Sequence, residues 1–197
     1  LAGPDARVIL ASDHGGGPAA NVFYLNTWLE RHGYLTWAKG EATPEVEGSH
    51  LGLRQISRHV YELDWERTVA YAATPSSQGI QIVTRRPGTG EELSPGDYRR
   101  IRDGMVRELR EARDPETGRP IVAEVRTREE VFAGPYEHLS PDLSLLLEGG
   151  AAVSILRGEE LIRRRPEIAG NHRPEGILIA GGPGIGRGVA LDERSIV

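Results

Sequence analysis

The sequence predicts a layered α/β domain, and three observations carry that expectation. Short aliphatic runs alternate with amphipathic helical stretches along the whole chain, the pattern of strands covered by helices. Several of those runs end abruptly in Gly/Pro-rich segments, as strands do when they hand over to loops at one edge of a sheet. The 197 residues suit one domain with a full core and are too few for two comfortable ones.

Arg7 to Ser12 reads as a buried strand, and Gly15-Gly16-Gly17-Pro18 after it as a loop. A helix is expected over 21–32, capped by Asn21, with Val22, Leu25 and Leu29 as its buried stripe and Gly33 as a left-handed residue past its end. Residues 39–48 lack periodicity and read as a loop or lid. Leu53, Ile56, Val60 and Leu63 repeat at three and four, which predicts an amphipathic helix over 51–63. Short strands follow over 69–72 and 79–84, and the turn-rich stretch 74–92 reads as mostly loop or lid.

The best-marked helix spans 95–113. Ser94 caps it, Pro95 opens it, Asp97 suits its positive end, and Tyr98, Ile101, Met105, Val106 and Leu109 form the inner face. Asp114-Pro115-Glu116-Thr117-Gly118 breaks it, and 120–125 returns as a strand. Thr127 caps a short helix over 128–132, and 142–147 reads as a buried strand. Residues 151–170 carry no firm pattern. The last strand covers 176–180, and Gly181 to Gly188 follows neither phosphate-loop spacing, so it reads as a turn.

Composition narrows the function. No apolar run nears the roughly 20 residues of a membrane helix. A net charge of −5 and a pI near 5.7 argue against a nucleic-acid partner. With no cysteine, any metal must be held by histidine and carboxylate. The chain opens at Leu1 without a signal-peptide pattern, so it reads as an internal piece of a longer protein, with the cytoplasm slightly favoured. Lys39 is the sole lysine, a compositional bias without chemical meaning.

Two places carry ligand-type side chains. Asp13-His14 leaves the first strand beside glycines that leave room for a cation, although a capping Asp with an incidental His has comparable weight. His172 sits in the Gly/Pro-containing stretch Gly170-Asn171-His172-Arg173-Pro174-Glu175-Gly176 before the last strand. His32, His50, His59 and His138 lack partners at useful spacing, and Trp28 and Trp37 read as core or rim.

Ser12-Asp13-His14-Gly15, the helix Leu25-Asn26-Thr27-Trp28-Leu29 with Gly33-Tyr34-Leu35, and His172-Arg173-Pro174-Glu175-Gly176-Ile177 with Gly182-Pro183 together resemble the alkaline phosphatase superfamily. Within it they look like the type I phosphodiesterase/nucleotide pyrophosphatase branch, and Pro141-Asp142-Leu143 is similar to that pattern too. The resemblance implies an α/β/α fold around a mixed, mostly parallel sheet. It implies two divalent metals, zinc first with Mn or Mg as alternatives, acting on a phosphate ester or nucleotide. Asp13 and His14 would hold one metal and His172 the other, while a Thr or Ser activated by metal attacks phosphorus.

That nucleophile, the strand ending in Asp before it, and an Asp-x-x-x-His stretch are absent, so the expectation is an incomplete carboxyl-terminal part of such a domain, inactive alone. A sulfatase or phosphomutase relative, or a non-catalytic assembly module on the same scaffold, is the alternative. Substrate choice would fall to loops, with 39–48 and 74–90 the candidates.

Overall fold

The computed structural model describes residues 3–38 and 62–189. The expected loop over 39–48, the expected helix up to residue 61, and His50 and His59 lie outside them. The protein is a mixed α/β chain with several small sheets and few helices. Two compact units emerge: Leu1–Gly17 with Gly170–Val197, and Pro18–Ala169.

The core belongs to the unit formed by 18–169. Its elements are α1 (Leu25–Arg31), β3 (Ala70–Tyr71), β4 (Gly79–Ile82), α2 (Pro95–Glu111), β5 (Val122–Thr127), α3 (Arg128–Val131), β6 (Leu143–Leu147) and β7 (Ala152–Ser154). β3, β4, β6 and β5 lie side by side in that order, all antiparallel. α2 forms as its sequence dictates. Ser94 accepts a hydrogen bond from Asp97 N at 3.1 Å, Pro95 enters where no amide partner is needed, and Met105 and Leu109 are fully buried. Each such side chain contributes about 1.5–3 kcal/mol. A Cβ at Gly104 would lie 3.4 Å from the Tyr34 hydroxyl, so the helix and that hydroxyl approach closely there.

β2 (Gly15–Tyr24) corrects two expectations. Gly15 to Pro18 belong to a strand, not a loop, and Asn21 lies within that strand instead of capping a helix. The helix starts only at Leu25, behind Tyr24, without a side-chain cap. Val22, Phe23 and Tyr24 are buried as strand residues, paired in parallel with Ala152, Val153 and Ser154. This long-range pairing outweighs the helical spacing. Gly33, at φ 76°, ends the helix turn as expected, in a conformation that other residues resist. β2 lies between β7 and β8 (Ile162–Arg173) in a three-stranded sheet.

The expectation of a mostly parallel sheet also fails: among the described pairings β2 with β7 is parallel, and those of β3 with β4, β4 with β6, β5 with β6 and β1 (Val8–Ala11) with β9 (Leu178–Gly181) are antiparallel. Hairpin-scale connections, such as Tyr71 to Gly79, permit antiparallel neighbours, whereas parallel ones need a long crossover. The strand expected over 142–147 does form, with Leu143, Leu145 and Leu147 buried.

One charge lies deep in this unit. Asp142, 1% exposed, accepts hydrogen bonds from Ile82 N (2.6 Å), the Tyr98 hydroxyl (2.7 Å) and Arg128 Nη2 (2.6 Å). It ties β4, α2, α3 and β6 to one carboxylate. Every donor is satisfied, which is what makes a buried charge tolerable.

No helix among the described residues is long and apolar enough to cross a membrane.

Candidate functional site

The sequence-predicted ligands all lie in the unit formed by 1–17 and 170–197, whose frame is the two-stranded ribbon of β1 and β9. Val8 pairs with Gly181 and Ala11 with Leu178. The pairing continues one step further: Ser12 N donates to Ile177 O at 3.0 Å, and the Ser12 hydroxyl accepts from Ile177 N at 2.7 Å. Gly176 is packed against that hydroxyl, since a Cβ there would lie 2.7 Å from Ser12 Oγ. The turn holding Asp13 and His14 therefore starts from a fixed point. β1 was expected to be buried, yet Ile9 is 66% exposed, and Ile179 of its partner β9 is 56% exposed. The apolar composition that suggested burial is real, but within this chain nothing among the described residues covers it.

The chain turns at Asp13-His14 and leaves as β2, and the neighbouring strand β8 supplies His172 next to its last residue. His172 was expected in a loop and stands in a strand. Its ring meets that of His14 edge to face, with centroids 4.1 Å apart and planes at 83°. These two histidines are separated by most of the sequence, and the fold places them in contact. The absence of side chains on the neighbouring glycines allows it. A Cβ on Gly15 would lie 1.8 Å from Glu175 O, and one on Gly17 would lie 2.6 Å from Arg173 Nε.

The His14 ring is set by its backbone. Nδ1 lies 2.8 Å from Gly15 O, and a carbonyl can only accept, so Nδ1 carries the hydrogen and donates it. In the neutral ring Nε2 then holds the lone pair, and it faces Asp13 Oδ1 at 3.6 Å. This is the arrangement by which a backbone carbonyl orients a metal-binding imidazole. Two ligands on one tetrahedral zinc stand roughly 3.4 Å apart, given bonds of about 2.0–2.1 Å. Asp13 and His14 fit that spacing for a single divalent ion. The pair is open to solvent, Asp13 at 89% and His14 at 47%.

Among the described residues no group of three or more His, Asp or Glu side chains is arranged to hold a metal. Asp13, His14 and His172 are thus brought together as neighbours, without forming a closed ligand shell.

The other candidates have structural explanations. His32 stacks on Trp28 at 4.0 Å, and its Nδ1 donates to Trp28 O at 2.8 Å. Trp28 is core. Beyond the last strand, Ile185 N donates to Gly182 O, so Gly181 to Gly188 begins as a tight turn. Sequence reasoning missed the role of Asp142 as a buried hub; a carboxylate placed between Pro141 and a leucine run was the available signal.

No family model matches this chain, and neither does any curated protein or solved structure.

Proposed function

We propose that the chain is the carboxyl-terminal part of a metal-dependent phosphohydrolase of the phosphodiesterase/nucleotide pyrophosphatase type, supplying Asp13, His14 and His172 to a metal centre. The observation that carries this reading is the apposition of His14 and His172 at 4.1 Å, with Asp13 Oδ1 3.6 Å from the lone-pair nitrogen of His14. Three ligand-type side chains from opposite ends of the sequence have no structural need to meet on an open surface. A divalent ion bound there would polarise a phosphoryl oxygen and supply a nucleophile at neutral pH. The chain's own residues do the positioning: Gly15 O fixes the His14 tautomer, and Ser12 with Ile177 anchors the turn.

The exposed, apolar β1/β9 ribbon supports placing these strands inside a larger domain, because strands apolar on both faces belong to sheets covered on both sides. The same ribbon favours a second reading, an assembly module that kept the scaffold without the chemistry.

Calorimetric titration of the chain with zinc separates the two. Weak binding that drops at least tenfold in Asp13→Ala, His14→Ala and His172→Ala alike, together with negligible hydrolysis of a nitrophenyl phosphodiester, supports the enzyme reading. Zinc binding indifferent to all three substitutions refutes it. Turnover near that of a complete enzyme, lost in Asp13→Ala, refutes the incomplete site.

A further inference from the structure

We propose that the free edge of β1 is a self-pairing surface, on which a second copy of this chain adds its own β1 in antiparallel register across a two-fold axis at Leu10. Pairing along an edge takes up backbone groups and leaves both faces of the β1/β9 ribbon as they were, so the inference stands independently of the metal-centre reading.

β1 pairs with one neighbour, β9, and its other edge is open among the described residues. The direction of its backbone groups follows from that neighbour. Ser12 N donates to Ile177 O, and this pair continues the register that sets Ala11 against Leu178. Backbone groups alternate in direction along a strand, so those of Leu10 and Val8 also turn to β9, whereas the N–H and C=O of Ile9 and Ala11 turn outward. Every residue of β1 is exposed, Val8, Ile9 and Leu10 by more than half, so another strand can reach that edge. Proteins ordinarily guard an open apolar edge with proline or charge. β8, the terminal strand of the three-stranded sheet, is guarded in that way by Pro166 and the arginines before it. β1 carries neither between Val8 and Ala11.

The flanking charges select the partner and the register. Arg7 and Asp13 lie equally far from Leu10 on either side of it, and both are exposed. With Leu10 opposite its equivalent, each Ile9 faces an Ala11 of the other copy, and their outward groups exchange hydrogen bonds in both directions. Each Arg7 then stands across from an Asp13. Arg7 Nε donates to Pro183 O at 2.9 Å, an exposed bond to a neutral carbonyl that a carboxylate replaces with a stronger, charged one. The outward groups also meet when the axis moves by one residue. At Ile9 it sets Asp5 against Asp13, and at Ala11 it sets Asp13 against Ile9, so neither gains an ion pair. Charge thus fixes the register as well as favouring the contact. The same strand serves both copies, so the interface is isologous.

Sedimentation equilibrium of the full chain across micromolar concentrations tests the inference, with a chelator present so that no metal bridges two copies. The wild type is expected to show a monomer–dimer equilibrium. Arg7→Asp and Asp13→Arg each weaken it by about tenfold, since each puts like charges opposite at two symmetry-related places. The combined exchange Arg7→Asp with Asp13→Arg restores it, because the swapped strand is again self-complementary. Ala11→Pro abolishes it by removing an outward N–H, while circular dichroism stays native because that N–H serves no bond to β9. A chain monomeric at every concentration overturns the proposal. So does a dimer that survives Ala11→Pro, as one formed through the faces of the ribbon or the edge of β9 would, or a charge exchange no better than either single variant.

Discussion

Replacing Asp142 by alanine removes one acceptor from three donors at once, and the structure sets the size of the effect. Ile82 N and the Tyr98 hydroxyl lose their partner, and Arg128, 20% exposed, keeps only its Nε bond to Ser140 O. Breaking a buried ion pair from one side costs about 3–5 kcal/mol, chiefly because the remaining charge stays desolvated. About 4 kcal/mol corresponds to a fall in Tm of roughly 8–16 °C for a unit of this size. Tyr98→Phe costs less, about 1.5–3 kcal/mol, as one charged hydrogen bond is lost and the carboxylate retains two donors. The combination Asp142→Leu with Arg128→Met recovers part of the loss, because no orphaned charge remains. Urea unfolding monitored by tryptophan fluorescence gives all three values. If Asp142→Ala lies within about 1 kcal/mol of the wild type, the hub reasoning is wrong.

Alkaline stability and the glycine-packed turn supply two further tests. Burial, followed by the hydrogen bond to Glu108, pushes the Tyr34 hydroxyl up to about 12, and burial followed by the hydrogen bond to Asp142 does the same for Tyr98. Their folded values exceed the unfolded value near 10, so the stability they bring is intact below pH 10 and declines as pH rises towards 12. Tyr98→Phe removes part of that decline, and a denaturation midpoint that falls equally steeply with and without Tyr98 would contradict it. Gly15→Ala forces a Cβ against Glu175 O, where 1.8 Å is available, and is expected to lower zinc affinity at least tenfold with unchanged unfolding of the 18–169 unit. Unaltered zinc affinity would show that the close approach does not position His14.

Legibility in the sequence followed the range of the interactions. α2 was readable because its cap, its opening proline and its apolar face lie within its own residues. α3 was readable for the same reason, with Thr127 and Glu130 three positions apart. The strand Leu143–Leu147 announced itself by composition. Gly15 to Pro18 misled because its composition is that of a loop, while the cause of the glycines is the approach of Arg173 and Glu175 from the far end of the chain. Asn21 and Val22 misled because β2 finds its partner in β7, more than a hundred residues away. β8 carries its ladder on arginines and a glycine that no periodicity marks. Asp13, His14 and His172 stand out in the sequence by their chemistry alone, whereas their arrangement in space, His14 against His172 and Asp13 beside His14, depends on strand pairing between distant parts of the chain.

The β1/β9 ribbon has a kinetic consequence for that site. Four residues on each strand, with Val8, Ile9 and Leu10 half or more exposed, give little to resist local opening. When the ribbon opens, Ser12 parts from Ile177, and the turn bearing His14 loses its anchor. Amide hydrogens of Ile9 to Ser12 and Ile177 to Ala180 are therefore the ones that exchange fastest among the described strands. A ligand that binds only while the ribbon is closed would slow that exchange by the factor with which closure favours its binding.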